Sequence, residues 1–356
     1  MGRAGATAGD QNGKPRPPAR DAAITDVAQL AGVSHQTVSR VLNEHPNVSP
    51  QTRLRVQAAM AELRYRPNNA ARALVTGRSK VIGVVAQNTT LFGPASMLTA
   101  FEQSASDAGF AVAVASVRAL DRRSIAEAVD RHLAQRVAGV VVIAPVASAG
   151  EALDHMPTDL PLVCIDGDPQ RSTPLVTVDQ SAGASLATRH LLDAGHSTVW
   201  HVSGPDDWFD SVGRIAGWRA ALERAGVDPP PVLSADWSPA AGYRVGQLLA
   251  RMSDVTAVFA ANDHLALGIL KALREFGRVV PQDVSIVGFD DIPEAAYFVP
   301  PLTTIRPDFD AVARAALNVL LRQIGTGVVS DERETIAPVL VTRESVAAPR
   351  QGLGRV

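Results

Sequence analysis

The chain has a single cysteine, Cys164, which excludes an internal disulfide framework. No apolar run approaches the ~18 residues a membrane span requires, so no membrane partner is expected. Residues 1–20, MGRAGATAGDQNGKPRPPAR, lack the apolar core of a secretory signal, and their Gly, Pro, Ala and charge predict a disordered tail. With neither signal nor disulfides, the cytoplasm is the expected compartment. A Walker A loop, GxGxxG and GxSxG are all missing, and the eight histidines are scattered rather than grouped at metal-ligand spacing. The sequence therefore nominates no catalytic residue, no cofactor and no metal site.

What is present begins with a charge asymmetry hidden in the net −2. Residues 1–80 carry twelve Lys/Arg against five Asp/Glu, a balance of +7, which leaves 22 against 31, or −9, for the rest. A basic head on an acidic body suggests that the head meets a polyanion.

Residues 24–64 read as three short helices. Thr25 is placed to cap the first, whose apolar stripe is Val27, Leu30 and Ala31; Gly32 permits the left-handed turn that follows. Ser34 caps the second, with Val38, Val41 and Leu42 as its stripe. Ser49-Pro50 starts the third, which carries Val56, Met60 and Leu63 and ends before Pro67. Two short helices joined by Ala31-Gly32-Val33 make a helix-turn-helix, whose second helix can enter a DNA major groove. With Val38, Val41 and Leu42 turned inward, His35, Gln36, Ser39 and Arg40 face outward as i,i+4 pairs. Arg can bond guanine O6 and N7 together, and Gln adenine N6 and N7. Ser34, Thr37, Asn43, Thr52 and Arg53 suit phosphate contacts, which fix register without reading bases. The competing reading is an ordinary helical bundle with a polar face; the caps, turn glycine and basic balance together favour DNA.

Beyond residue 80, short apolar runs alternate with helical patterns. The runs are VIGVVA, FAVAVASV, GVVVIAP, PLVCID, VTVD, TVWHVSG, TAVFAAND and VSIVGFDD, as expected of strands buried on both faces of a parallel sheet. Helices are predicted near 95–108, 122–135, 181–194, 212–225, 240–251 and 263–276. This alternation implies an α/β, doubly wound architecture, with enough strands for two sheets and a cleft. Ligands of such sheets bind beyond the carboxyl ends of strands, and here those ends carry Asp166, Asn262 and Asp290. Their directed donors and acceptors suit sugar hydroxyls. Trp237 offers a flat face for a pyranose, and Arg214 a fork for two hydroxyls or a carboxylate. Against this, the three strand-end residues could simply cap the following helices, Trp237 could be core, and Arg214 a surface ion pair.

The head stretch GVSHQTVSRVLN, then VSPQTRLRVQAAMAELRYRPNNAARAL, resembles the lactose-repressor family of bacterial transcription regulators. The resemblance continues through LAQRVAGVVV, AGW, DWS, VFAANDHLALG, VSIVGFDD and PPLTTI, over roughly residues 22–345. It implies a three-helix helix-turn-helix head plus hinge helix, followed by a two-lobed, doubly wound parallel-sheet core of periplasmic-binding-protein type. It also implies a hinge over residues 68–76, with Asn68, Ala71 allowing close helix approach, and Leu74 as a minor-groove wedge that bends the DNA. In the core it implies a small sugar effector held by Leu91, Pro94, Met97, Val178, Asp210 and Phe309 beside Asp166, Arg214, Trp237, Asn262 and Asp290. Asp210 stands where the family's eponymous member has serine, Pro307 replaces a glutamine, and Phe92 and Val178 differ in size or polarity. His35 replaces a tyrosine on the recognition helix. Trp237 favours a β-galactoside or β-glucoside.

The predicted domains are a tail (1–20), the helix-turn-helix (21–67), the hinge and linker (68–79), one core lobe (80–178 with 308–342), the other (179–307) and a flexible end (343–356). The expected machine is a homodimeric repressor on double-stranded operator DNA; without leucine heptads after Arg343, no tetramer is expected. Three rivals stay open. Asp166-Gly167-Asp168 superficially resembles the paired aspartates of a phosphotransferase, a sugar-transport protein would share the two-lobed core, and a purine-type co-repressed regulator would reverse the sign of control.

Overall fold

The computed structural model describes residues 22–42, 45–65, 79–87, 90–153 and 155–350. Asn43 and the hinge residues Asn68, Ala71 and Leu74 lie outside the described residues, as does the tail. The chain divides into two compact units, with the boundary between Arg78 and Ser79.

In the first unit, α1 (Ile24–Ala31), α2 (His35–Leu42) and α3 (Pro50–Glu62) enclose Val27, Ala28, Ala31, Val38, Val41, Val56 and Ala59. The start of α1 differs from expectation. Thr25 lies inside the helix; Ala23 is the cap position, and the Asp26 carboxylate accepts its backbone N–H at 2.7 Å. Asp26 thereby satisfies one end donor and sits at the positive end of the helix dipole. Leu30 is 46% exposed, so Ala28 replaces it on the buried stripe. Gly32 has φ 63°, where a side chain would cost about 1 kcal/mol.

In the second unit, the first six-stranded sheet runs β11-β5-β4-β3-β1-β2, all parallel: β1 (Val81–Gln87), β2 (Ala111–Val117), β3 (Val140–Ile143), β4 (Leu162–Ile165), β5 (Leu175–Val178) and β11 (Arg333–Ile336). One face is covered by α4 (Phe92–Asp107) and α11 (Phe309–Thr326), the other by α5 (Arg122–Ala134) and the short α6 (Ser148–Leu153). The second sheet runs β12-β10-β9-β8-β6-β7, formed by β6 (Trp200–Ser203), β7 (Leu233–Ser234), β8 (Ala257–Ala260), β9 (Ser285–Phe289), β10 (Thr303–Arg306) and β12 (Val339–Val341). Only β12 is antiparallel to its neighbour among these pairs. Helices α7 (Gln180–Asp193) and α8 (Phe209–Arg224) cover one face, α9 (Pro239–Arg251) and α10 (Asp263–Glu275) the other. Gly242 and Gly268 let α9 and α10 touch backbone to backbone, since a Cβ on either would overlap main-chain atoms of the other helix.

All eight apolar runs form strands. β2, an edge strand, is only partly buried, unlike the two-sided burial expected of it. The chain passes between the sheets three times: after Val178, after Arg306, and between Ile336 and Val339. The third crossing corrects the predicted division, because residues 339–341 pair with β10 in the second sheet rather than closing the first. Residues 343–350 are not loose either. Arg343 bonds Asp291 at 2.6 Å, buried Ser345 bonds the carbonyl of Ile286, and the Ala347 carbonyl accepts from Ser285.

Candidate functional site

On the head, α2 presents His35, Gln36 and Arg40 to solvent while Val38 and Val41 anchor its other face; Ser39 is half-buried between them. The expected phosphate contacts are locally braced. Ser34 caps α2 by accepting the Thr37 N–H at 3.2 Å, and their hydroxyls meet at 3.0 Å. Ser49 does the same for Thr52 at the start of α3. Arg53 donates to the His45 carbonyl at 3.2 Å, which ties α3 to the segment after α2. Polar side chains fixed this way present their remaining hydrogen-bonding capacity in one direction.

In the core, Asp166 follows β4 and Asp290 follows β9, both in left-handed backbone (φ 56° and 103°). Strain of this kind, about 1–3 kcal/mol per residue, persists only where its surroundings hold it, and it clusters at ligand sites. Arg214, from the second turn of α8, is buried rather than a surface ion pair. Its Nε donates to Gln180 Oε1 at 2.9 Å and its Nη1 to the Ala261 carbonyl at 2.5 Å. Its Nη2 lies 3.7 Å from Asp210 and 3.5 Å from Asp290. The guanidinium lies 3.7 Å from the centre of the Phe289 ring and 5.6 Å from that of Trp237.

Burial pushes Asp166 up to about 7, and the charge of Asp210 adds to the effect; the Thr177 hydroxyl, donating at 2.9 Å, opposes it. Burial also raises Asp210, against the pull of Arg214. Asp290 is pushed up to about 7 by burial, with Arg214 opposing and Asp210 reinforcing. Three carboxyls thus share one guanidinium in a poorly hydrated space.

Trp237 is 8% exposed, meets Trp208 edge to face at 5.5 Å and leaves its indole N–H without an acceptor. Its ring lies against Gly204, where a Cβ would overlap it. The core alternative is therefore half right: Trp237 packs in the second lobe's core while its polar edge stays unsatisfied. Asn262 follows the capping alternative. Its Oδ1 accepts the Leu265 N–H at 2.8 Å, and its Nδ2 donates to the Trp237 carbonyl at 3.3 Å. One amide hydrogen remains.

Leu91 and Phe92, at the start of α4, lean on the second lobe's core. The lobes also meet through backbone: Ala147 donates to the Asp207 carbonyl at 2.9 Å and Phe209 to the Pro145 carbonyl at 2.8 Å. Pro94 is half-buried in the first turn of α4. Phe309 meets Phe92 at 6.2 Å, and with Asp290, Asp291 and Arg306 they line a cavity of about 940 Å³. Met97 corrects an expectation: it is fully enclosed in the first lobe's core, so it packs there instead of lining the cleft. Val178 is likewise core.

Sequence reasoning missed Gln180, whose carbonyl orients Arg214, and Asp263. Asp263 is fully buried, accepts from Thr304 Oγ1 at 2.6 Å and the Ile292 N–H at 2.9 Å, and is held well above the usual carboxylate range by burial and the charge of Asp290. Its place next to a strand-end asparagine was the available signal. Among the described residues no group of three His, Cys, Asp or Glu side chains could hold a metal ion, and no helix is long and apolar enough to cross a membrane.

A braced helix-turn-helix joined in one chain to a two-lobed α/β core defines a class of regulatory protein. Residues 23–68 match the bacterial regulatory proteins of the lacI family, and residues 188–346 match a periplasmic binding protein-like domain. The chain belongs to the lacI family and is a DNA-binding transcriptional repressor. It is 34% identical to the lactose operon repressor of Escherichia coli K12, over 92% of this chain and 91% of that one. It is equally 34% identical to the HTH-type transcriptional repressor PurR of Salmonella paratyphi B, over 92% and 97%. Among solved structures it resembles the lac repressor dimer bound to operator and an anti-inducer (TM-score 0.83, 33% identity, 92% of this chain and 100% of that one). It also resembles a complex of the transcriptional regulator CelR with cellobiose (TM-score 0.67, 31% identity, 91% and 99%). Its relatives are repressors, which removes the phosphotransferase and transport readings.

Proposed function

We propose that this repressor is a homodimer released from a pseudo-palindromic operator by a small sugar of β-galactoside or β-glucoside type, bound in the cleft between the two core lobes. The observation that carries the effector reading is Arg214, buried between Asp210 and Asp290 beside the unsatisfied edge of Trp237. Asp166 on the first lobe and Arg214, Asp210 and Asp290 on the second grip one ligand only when the lobes are close, so the ligand favours one lobe arrangement. Only such differential affinity shifts an equilibrium. Likeness to a cellobiose complex and to a lactose operon repressor supports a glycoside.

The dimer reading rests on an apolar patch rimmed by Lys271, Arg274 and Glu275. Leu267 (39% exposed) and Val299 (82%) group with Leu270 and Phe298 around one groove on the second lobe, with Tyr297 (84%) next to them. Apolar surface gathered like this marks an association site. Each subunit then offers α2 to one half-site, where His35, Gln36, Ser39 and Arg40 read bases and Ser34, Thr37, Asn43, Thr52 and Arg53 hold phosphates. Arg40→Ala is expected to weaken specific binding by about 1–3 kcal/mol and to relax preference at one operator position, read by selection from a random pool.

The experiment for the whole reading is operator affinity at one fixed salt concentration, with and without glycosides and purines. Weakening by a β-glycoside, lost in Trp237→Ala, is the expected result. Strengthening by a purine would make the protein a co-repressed regulator.

A further inference from the structure

We propose that the effector is a glycoside carrying an ammonium group, an amino sugar, whose cation sits between Asp166 of the first lobe and Asp210 and Asp290 of the second. This rests on the effector reading above and narrows it. The charges in the cleft do not balance. Arg214 has committed Nε and Nη1 to Gln180 and the Ala261 carbonyl. Its remaining Nη2 stands 3.7 and 3.5 Å from two carboxylates, beyond the about 2.7–2.9 Å of a charge-assisted bond.

The neighbouring charges do not relieve this. Asp291 is bonded to both Arg306 and Arg343, and Asp168 to Arg171. Asp263, behind Asp290, is satisfied by Thr304 and Ile292. His201, packed near Arg214, is fully buried and kept neutral, its basicity lowered by burial. Among the described residues, one cation thus faces three acids with no second cation beside them. Asp210 is the extra member, and its charge raises both Asp166 and Asp290.

A second feature points to a ligand. The indole N–H of Trp237, on a residue 92% enclosed, has no acceptor, and its ring is 5.6 Å from the Arg214 guanidinium. Trp208 stands edge-on to it at 5.5 Å, so the wall is aromatic and suits the apolar face of a sugar ring, while Phe289 already carries the Arg214 guanidinium. Among the described residues no three acidic, His or Cys side chains converge tightly enough for a metal ion. An amino sugar meets all of this: hydroxyl oxygens to accept from Arg214, from the Trp237 indole N–H and from the free Asn262 hydrogen, and an ammonium to face the carboxylates. Because Asp166 and Asp210 lie on opposite lobes, the cation would cancel the repulsion that opposes closure.

The test is calorimetry on the full chain with β-glucosides and β-galactosides, each as the hydroxyl parent, with an amino group at C2, C3 or C6, and with that amine acetylated. At pH 8 at least one amino glycoside is expected to bind about tenfold or more tightly than its parent and its acetylated form. That advantage should shrink at pH 6, where Asp166 and Asp290 take up protons, and should disappear in Asp210→Ser. Parents binding as tightly as every amine would overturn the ammonium and leave the sugar reading standing. Tight binding of a purine with no glycoside bound would remove both.

Discussion

Arg214→Met is expected to destabilise the second core lobe by about 3–5 kcal/mol at pH 8, because removing one partner of a buried charge group strands the others. Asp210 and Asp290 would lose the one cation paired with them among the described residues, and Gln180 and the Ala261 carbonyl their donors. The loss should be smaller at pH 6, and the sign follows from the direction of the shifts. A carboxyl whose folded-state value lies above its unfolded one costs stability when ionised. That cost grows as pH rises from about 4 to the folded value and is largest above it. Asp166 and Asp290 stand at about 7 even with the guanidinium in place. Without it they rise further, so the gap between variant and parent opens above about pH 7 and is wider at pH 8 than at pH 6. Urea unfolding at the two pH values, followed by tryptophan fluorescence, reads this directly. An equal loss at both would assign Arg214's contribution to its hydrogen bonds with Gln180 and Ala261 instead.

Leu267→Arg is expected to yield a monomer and to weaken operator binding by about 10²–10⁴, the advantage lost when two linked contacts become one. Leu267 is exposed on α10 next to Val299 and Phe298, so on the proposed two-fold interface an arginine there joins Lys271 and Arg274 and sets like charges against the same patch of the second copy. The effect on non-specific DNA should be far smaller. Light scattering at micromolar concentration reports the oligomer, and a dimer surviving in the variant would move the interface elsewhere. The head is untouched by this substitution, so a folding defect would appear as lost α/β signal and is separable.

The head was readable because its determinants are local. Ser34, Gly32, Ser49 and the Val38/Val41 stripe act within one turn of their own positions, and each does in the structure what its chemistry suggests. The start of α1 was misassigned because two capping modes compete there, and the backward reach of Asp26 to Ala23 leaves Thr25 no role at the end. In the core, strands buried on both faces announce themselves by continuous apolar runs. The weaker strands β7, β10, β11 and β12 do not, since their burial is partial or their run too short. The long α11 was missed although its apolar spacing is regular, and the third crossing was missed because β12 is only three residues long.

The strand-end rule located Asp166, Asn262 and Asp290 but could not say which would cap a helix. That depends on backbone: Asn262, extended, reaches forward to Leu265, whereas Asp166 and Asp290, left-handed, do not cap the next helix. The roles of Gln180 and Asp263 depend on partners 34 and 41 residues away, Arg214 and Thr304, a separation no local pattern encodes.

The three crossings between the sheets also order events during synthesis. The first lobe lacks its covering helix α11 and its edge strand β11 until residues 309–336 have left the ribosome, and the second waits for β12 and the Ser345–Ala347 segment. Both lobes therefore stay incomplete sheets until residues 309–347 have been made. The head closes on contacts no more than a few tens of residues apart and emerges first. A nascent chain would therefore carry a finished DNA reader well before it carried anything able to answer a ligand.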